Sequence, residues 1–157
     1  MSGTGQWVLL AYQLPREPSA PRVSAWRKLR RLGVAQLMDG FVALPMSERN
    51  RERLEWLAEE IREAHGDAAI WLARPGSLEQ ERSLVSGLQG AVAEEYRQVA
   101  EAAREAEQAE PAARRRTLAR LRRELQLIRE RDYFPTPVRE GALEAVEQLA
   151  GVAEVVP

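Results

Sequence analysis

The chain contains no cysteine and only one histidine, His65. Disulfides and thiolate metal sites are thereby excluded, and neither a histidine-built metal centre nor a histidine-dependent triad has enough ligands. Lysine is equally scarce: of 23 basic residues only Lys28 is a lysine, the others being arginines. In so alanine-rich a chain this bias reads as genomic base composition, so arginine abundance alone is no argument for phosphate binding. Long apolar runs are missing too, none approaching the roughly 20 residues that span a bilayer. Residues Met1 to Gln6 are short and polar, with neither the basic region nor the apolar core of a signal peptide, and the expected location is the cytoplasm.

What is present fits an ordinary folded protein. At 157 residues, with 30% charged and 45% hydrophobic, there is room for one large domain or a small domain with a helical annex. The net charge of −1 argues against general affinity for nucleic acid. Charge is nonetheless segregated: residues 1–45 carry +4, 77–110 carry −5, and 111–131 carry +6.

Trp7-Val8-Leu9-Leu10-Ala11-Tyr12 is a short continuous apolar run that suits a central strand. Prolines at 15 and 18 forbid helix through the next stretch. Ser19 is then placed to cap a basic helix with Pro21 in its first turn, and Val23, Trp26, Leu29 and Leu32 form its buried stripe. Gly33 ends it. Val34–Met38 and Phe41–Leu44 read as strands joined at Asp39-Gly40, which predicts a type I′ hairpin turn with positive φ at both residues. Ser47 caps a second helix, with Leu54, Leu57, Ala58, Ile61 and Ala64 on one face and Gly66 at its end. Ala68–Leu72 is a fourth strand. The fold class expected is α+β: a ferredoxin-like βαββαβ unit over residues 1–75.

Residues 76–157 change period. Val85, Leu88, Val92, Tyr96, Val99 and Ala103 mark one long helix, and Leu118, Leu121, Leu125 and Ile128 mark a second one restarting at Pro111. These two form an expected antiparallel hairpin. Leu143, Val146 and Leu149 mark a short third helix, and Val152–Pro157 reads as a strand stub or simply the chain end.

Four groups of residues carry possible chemistry. Arg16 and Arg22 flank a helix start, where free N–H groups and two guanidiniums could hold an oxyanion; pairing with Glu17 or with carboxylates of neighbouring helices is the favoured alternative. Arg27, Lys28, Arg30 and Arg31 lie outside the first helix's stripe and are candidates for nucleic-acid contact. So are Arg114, Arg115, Arg116, Arg120 and Arg123, together with Arg122 the densest positive patch. Here the favoured alternative is internal pairing with the acidic face of the preceding helix, at Glu94, Glu95, Glu101, Glu105, Glu107 and Glu110. Trp7, Trp26 and Trp71 fall at core positions, whereas Trp56 sits among charged helical neighbours and is a candidate partner contact. No convergent acid, base or nucleophile set emerges, and no cofactor is implied; the chain reads as non-enzymatic.

With those residues in hand, the first 75 positions resemble the amino-terminal domain of the chromate-resistance protein ChrB family. The resemblance rests on W-V-L-L-A-Y-Q-L-P-R-E-P-S-A-P-R-V-x-x-W-R-K-L-R-R-L-G (7–33), M-D-G-F-V-A-L-P (38–45) and E-W-L-A-E-E-I (55–61). It implies a cytoplasmic regulator of a chromate-efflux operon, with operator DNA and chromate as partners, a homodimer, no catalysis, and a further carboxy-terminal domain that this chain does not include. A weaker, topological likeness is to the ferredoxin-like CRISPR-adaptation nucleases and to a repressor of phenylacetate catabolism. The nucleases carry an aspartate after the tyrosine that ends their first strand. Here Tyr12 is followed by Gln13, a neutral amide that cannot replace an anionic ligand for a divalent ion. The alternative to a DNA-binding regulatory module is a protein–protein interaction domain with no affinity of its own for DNA or chromate.

Overall fold

The computed structural model describes residues 5–154. Its elements run β1 (Trp7–Gln13), α1 (Ala20–Leu32), β2 (Ala35–Met38), β3 (Phe41–Pro45), α2 (Glu48–Glu63), β4 (Asp67–Ala73), α3 (Leu78–Ala106), α4 (Pro111–Glu130) and α5 (Val138–Ala153). The chain divides into two compact units, Met1–Gly87 and Leu88–Pro157, with α3 beginning in the first and continuing into the second.

The first unit is α+β. Its four strands form one antiparallel sheet in the order β2-β3-β1-β4, so β1 is central and pairs on both sides. Val8 stands opposite Leu44 and Leu72, and Leu10 opposite Val42 and Ile70, which puts these side chains on one face of the pleat. Val8, Leu10, Val42 and Leu44 are fully buried there, with Leu29 of α1 and Leu54, Ala58 and Ile61 of α2. Each of the valine, leucine and isoleucine side chains contributes about 1.5–3 kcal/mol relative to exposure. Ser47 caps α2 as its sequence predicts, its Oγ accepting from the Asn50 N–H at 3.0 Å.

Several local details differ from the sequence reading. Ser19 makes no side-chain cap, because its own backbone is already helical (φ −79°, ψ −19°). The buried stripe of α1 is Ala25 and Leu29, leaving Val23 46% and Trp26 39% exposed. Trp26 is one residue, about 100°, around the helix from Ala25, so both cannot face the sheet. Trp71 is 59% exposed, since it stands opposite Leu9, on the face turned away from Val8 and Leu10, at the edge strand β4. Trp7 is buried as expected, its Nε1 donating to Glu81 at 3.0 Å. The turn at Asp39-Gly40 is not type I′: Gly40 has φ +72°, but Asp39 keeps a negative φ, and the β2–β3 register shifts between Gln36 and Met38.

The end of α2 is closed by His65 and Gly66 together. His65, not Gly66, takes the left-handed conformation, at φ +66°. The Gly66 N–H donates to the Ile61 carbonyl at 2.8 Å, closing the terminus in the manner of a Schellman cap with histidine at its left-handed position. Gly66 is needed for room instead. A Cβ there would lie 2.5 Å from the Gln13 carbonyl oxygen and 2.8 Å from side-chain carbons of Ile61 and Leu14. Replacing His65 by glycine is therefore expected to stabilise the unit by about 0.5–1 kcal/mol, read as a higher Tm by circular dichroism, because glycine adopts positive φ without steric cost.

The second unit packs one core from α3, α4 and α5, centred on Tyr96, Val99, Ala103, Leu121, Leu125, Val146 and Leu149. The apolar spacings read from the sequence are the buried ones in α3 and α4. α5 is longer than a short helix, and Val152 and Ala153 are its last turn, not a strand; residues 155–157 of the expected stub lie outside the described residues.

Candidate functional site

Two positively charged surfaces emerge, one in each unit. In the first, α1 and α2 lie side by side over the sheet. Residues 28, 31 and 32 of α1 and residues 49, 52, 53, 56 and 60 of α2 follow helical spacings of three and four, so each set forms one ridge. The ridges border an open groove of about 520 Å³. Lys28 forms an ion pair with Glu60 across it. Arg31, Arg49 and Arg53 form no ion pair or hydrogen bond among the described residues. Trp56, 67% exposed, is part of the wall, with Leu32 and Leu57 as its apolar neighbours.

The sequence singled out Lys28, Arg31 and Trp56 separately, and the structure gathers them into one place. Arg49 and Arg53 were missed. Their signal was the run 49, 53, 56, 60 at i, i+4, i+7 and i+11, which marks a single helical face. Arg27 and Arg30 are exposed on α1 but stand outside the groove. Arg16 and Arg22 are exposed and pair with no carboxylate among the described residues.

In the second unit the charges of α4 are arranged by the same periodicity. Leu118, Leu121, Leu125 and Ile128 face the core, which turns Arg116, Arg120 and Arg123 to the opposite, solvent side. Arg115 is exposed beside them, and Arg114 is half-buried near the helix start, its Nε without a hydrogen-bond partner. Internal neutralisation by α3, the favoured reading of the sequence, is not what the ion pairs show. Arg120 pairs with Glu124 of its own helix at 2.8 Å, Arg122 lies 3.6 Å from Glu154, and among the described residues only Arg131 reaches α3, at Glu95. Arg115, Arg116 and Arg123 make no ion pair among the described residues. The first turn of α4 has no acidic residue, so cations crowd the end of the helix whose dipole favours anions.

A buried polar cluster fixes α3 against the segment after α4. The Tyr96 hydroxyl, fully buried, donates to Asp132 Oδ2 at 2.9 Å; the Asp132 side chain is 3% exposed and lies 3.9 Å from Arg139 Nη1. Burial raises the pKa of the Tyr96 phenol well above its ordinary value, and the Asp132 hydrogen bond and charge push the same way, against a smaller opposing effect of Arg139 and Arg129. This cluster is a structural anchor, its hydroxyl and carboxylate both buried. Among the described residues no group of three or more His, Cys, Asp or Glu side chains converges on a possible metal position.

Comparison with known proteins gives one match. A family model described as Protein ChrB, N-terminal, matches residues 22–156, most of the chain, beginning inside α1 after the strand and Pro-rich turn that precede it. Neither the curated proteins nor the solved structures compared with the chain gave a match.

Proposed function

The chain belongs to the family of ChrB amino-terminal domains, and on that premise we propose that it is a non-enzymatic module of a chromate-responsive transcriptional regulator that contacts operator DNA through α4. The observation that carries this reading is the ridge of Arg116, Arg120 and Arg123, with Arg115 beside it, turned to solvent and left largely without carboxylate partners. A helix with cations spaced over two turns meets successive phosphates of a duplex, and each phosphate neutralised releases condensed counterions. The sheet order β2-β3-β1-β4 supports the ferredoxin-like reading of the first unit.

The test is fluorescence anisotropy on duplex fragments from the promoter of the chain's own operon, at about 50 mM and about 200 mM salt. The wild type is expected to bind at low salt and weaken steeply, while a double Arg116→Gln, Arg123→Gln variant flattens the plot of log affinity against log salt by about two. No binding of any promoter fragment at low salt would sink the DNA role. A second reading, dimerisation without DNA affinity, is favoured by the exposure of Trp71 and Leu72 on the edge strand β4. It predicts a stable dimer on sedimentation and a flat anisotropy titration.

A further inference from the structure

We propose that the groove between α1 and α2 binds a nucleoside phosphate, with the base stacked on Trp56 and the phosphate held by Arg31, Arg49 and Arg53. The first support is the tryptophan. α2 is already anchored by Leu54, Leu57, Ala58 and Ile61, and Trp56 adds nothing to that core while exposing 67% of its surface. A flat indole beside guanidiniums is the pairing that stacks bases without reading their sequence.

The second support is charge. Arg31, Arg49 and Arg53 have no carboxylate partner among the described residues, and Arg49 sits in the first turn of α2, where a cation opposes the helix dipole. With Glu52 the single carboxylate beside them that is not in the Lys28 pair, these three arginines leave the groove lining net positive, which favours an anionic ligand. Lys28 is neutralised by Glu60, so the cationic excess falls at the arginines, next to the tryptophan. Arg forks match phosphate oxygens two at a time.

Size and shape agree. A groove of about 520 Å³ lies within the range of about 300–1,000 Å³ typical of small-molecule sites. Leu32 and Leu57 supply apolar surface for a base edge, and Glu52 offers an acceptor for an amino or ribose hydroxyl group. A DNA duplex keeps its bases stacked on each other and cannot offer one to Trp56. An acidic peptide would match the charge but leave the indole without a flat partner.

The experiment is isothermal titration calorimetry on the full chain with ADP and with GDP, using inorganic phosphate and a short DNA duplex as further titrants. Trp56→Ala and Arg53→Ala are compared with wild type after circular dichroism shows the fold intact. The expected result is that at least one nucleotide binds, that Trp56→Ala weakens it about tenfold with phosphate binding unchanged, and that Arg53→Ala weakens both about tenfold. The inference is overturned if neither nucleotide binds, if Trp56→Ala leaves nucleotide affinity unchanged, or if the duplex displaces bound nucleotide.

Discussion

Replacing Asp132 by alanine is expected to destabilise the three-helix unit by about 3 kcal/mol. The side chain is only 3% exposed, and its loss leaves the fully buried Tyr96 hydroxyl with no acceptor and Arg139 with one carboxylate fewer. Tyr96→Phe, which instead leaves a buried carboxylate short of a donor, is expected to cost about 2 kcal/mol. The double variant should cost less than the two singles together, because the second change removes a group already stranded by the first. Urea unfolding followed by far-UV circular dichroism measures all three, and strict additivity would show that the hydroxyl and carboxylate are not coupled.

The same cluster fixes a pH dependence. The phenol of Tyr96 is raised above its ordinary value of 10.0 in the folded state by burial and by Asp132. A raised pKa contributes stability that is fully present below the unfolded value and is lost as pH climbs past it, because the unfolded chain surrenders the proton first. The second unit should therefore hold its stability up to about pH 10 and weaken progressively above it. Asp132→Ala removes two of the causes that raise the phenol, leaving burial, so its alkaline loss should be smaller than that of the wild type.

Gly40→Ala should cost the first unit about 3 kcal/mol. Gly40 holds φ +72°, which strains any L side chain, and a Cβ there would press into the Tyr12 carbonyl oxygen well inside contact distance. Neither partner can move cheaply. The Tyr12 N–H donates to the Gly40 carbonyl at 2.8 Å, tying the hairpin turn to the central strand at the point of the clash. Gly40→Asn separates the two causes. Asparagine tolerates positive φ but brings the same Cβ, so if crowding dominates it should be nearly as damaging as alanine. A thermal melt that drops for alanine but not for asparagine would assign the cost to dihedral strain alone.

These positions show what was legible in the sequence. β1, the position (though not the type) of the turn at residues 39–40, the Ser47 cap and the apolar stripes of α3 and α4 were readable because each depends on neighbours within about two helical turns or one hairpin. The face of α1 was not. Val23 and Trp26 are the large apolar residues, and size pointed to them, but the sheet receives the face on which small Ala25 allows close approach. Trp71 looked like core for the same reason, until the register put it opposite Leu9 on the face away from Val8 and Leu10 of an edge strand. Charge failed differently. The sum over α3 and α4 nearly cancels, yet pairing needs the same faces to meet, and the faces that meet are apolar; Arg116 and Arg123 point away. The α1–α2 groove was half visible, since each ridge is periodic, but their convergence is a property of two helices lying on one sheet.

All four tryptophans, at 7, 26, 56 and 71, belong to the first unit, and the second has none. Three of them are well exposed to water and one is buried. Intrinsic indole emission is thus a private reporter of the sheet-bearing half, whereas the long helices α4 and α5 are heard only through the peptide chromophore. Unfolding curves from the two signals superimpose only if both halves come apart in one step. The unaltered chain therefore already carries the probe pair that measures its own cooperativity, with no label added.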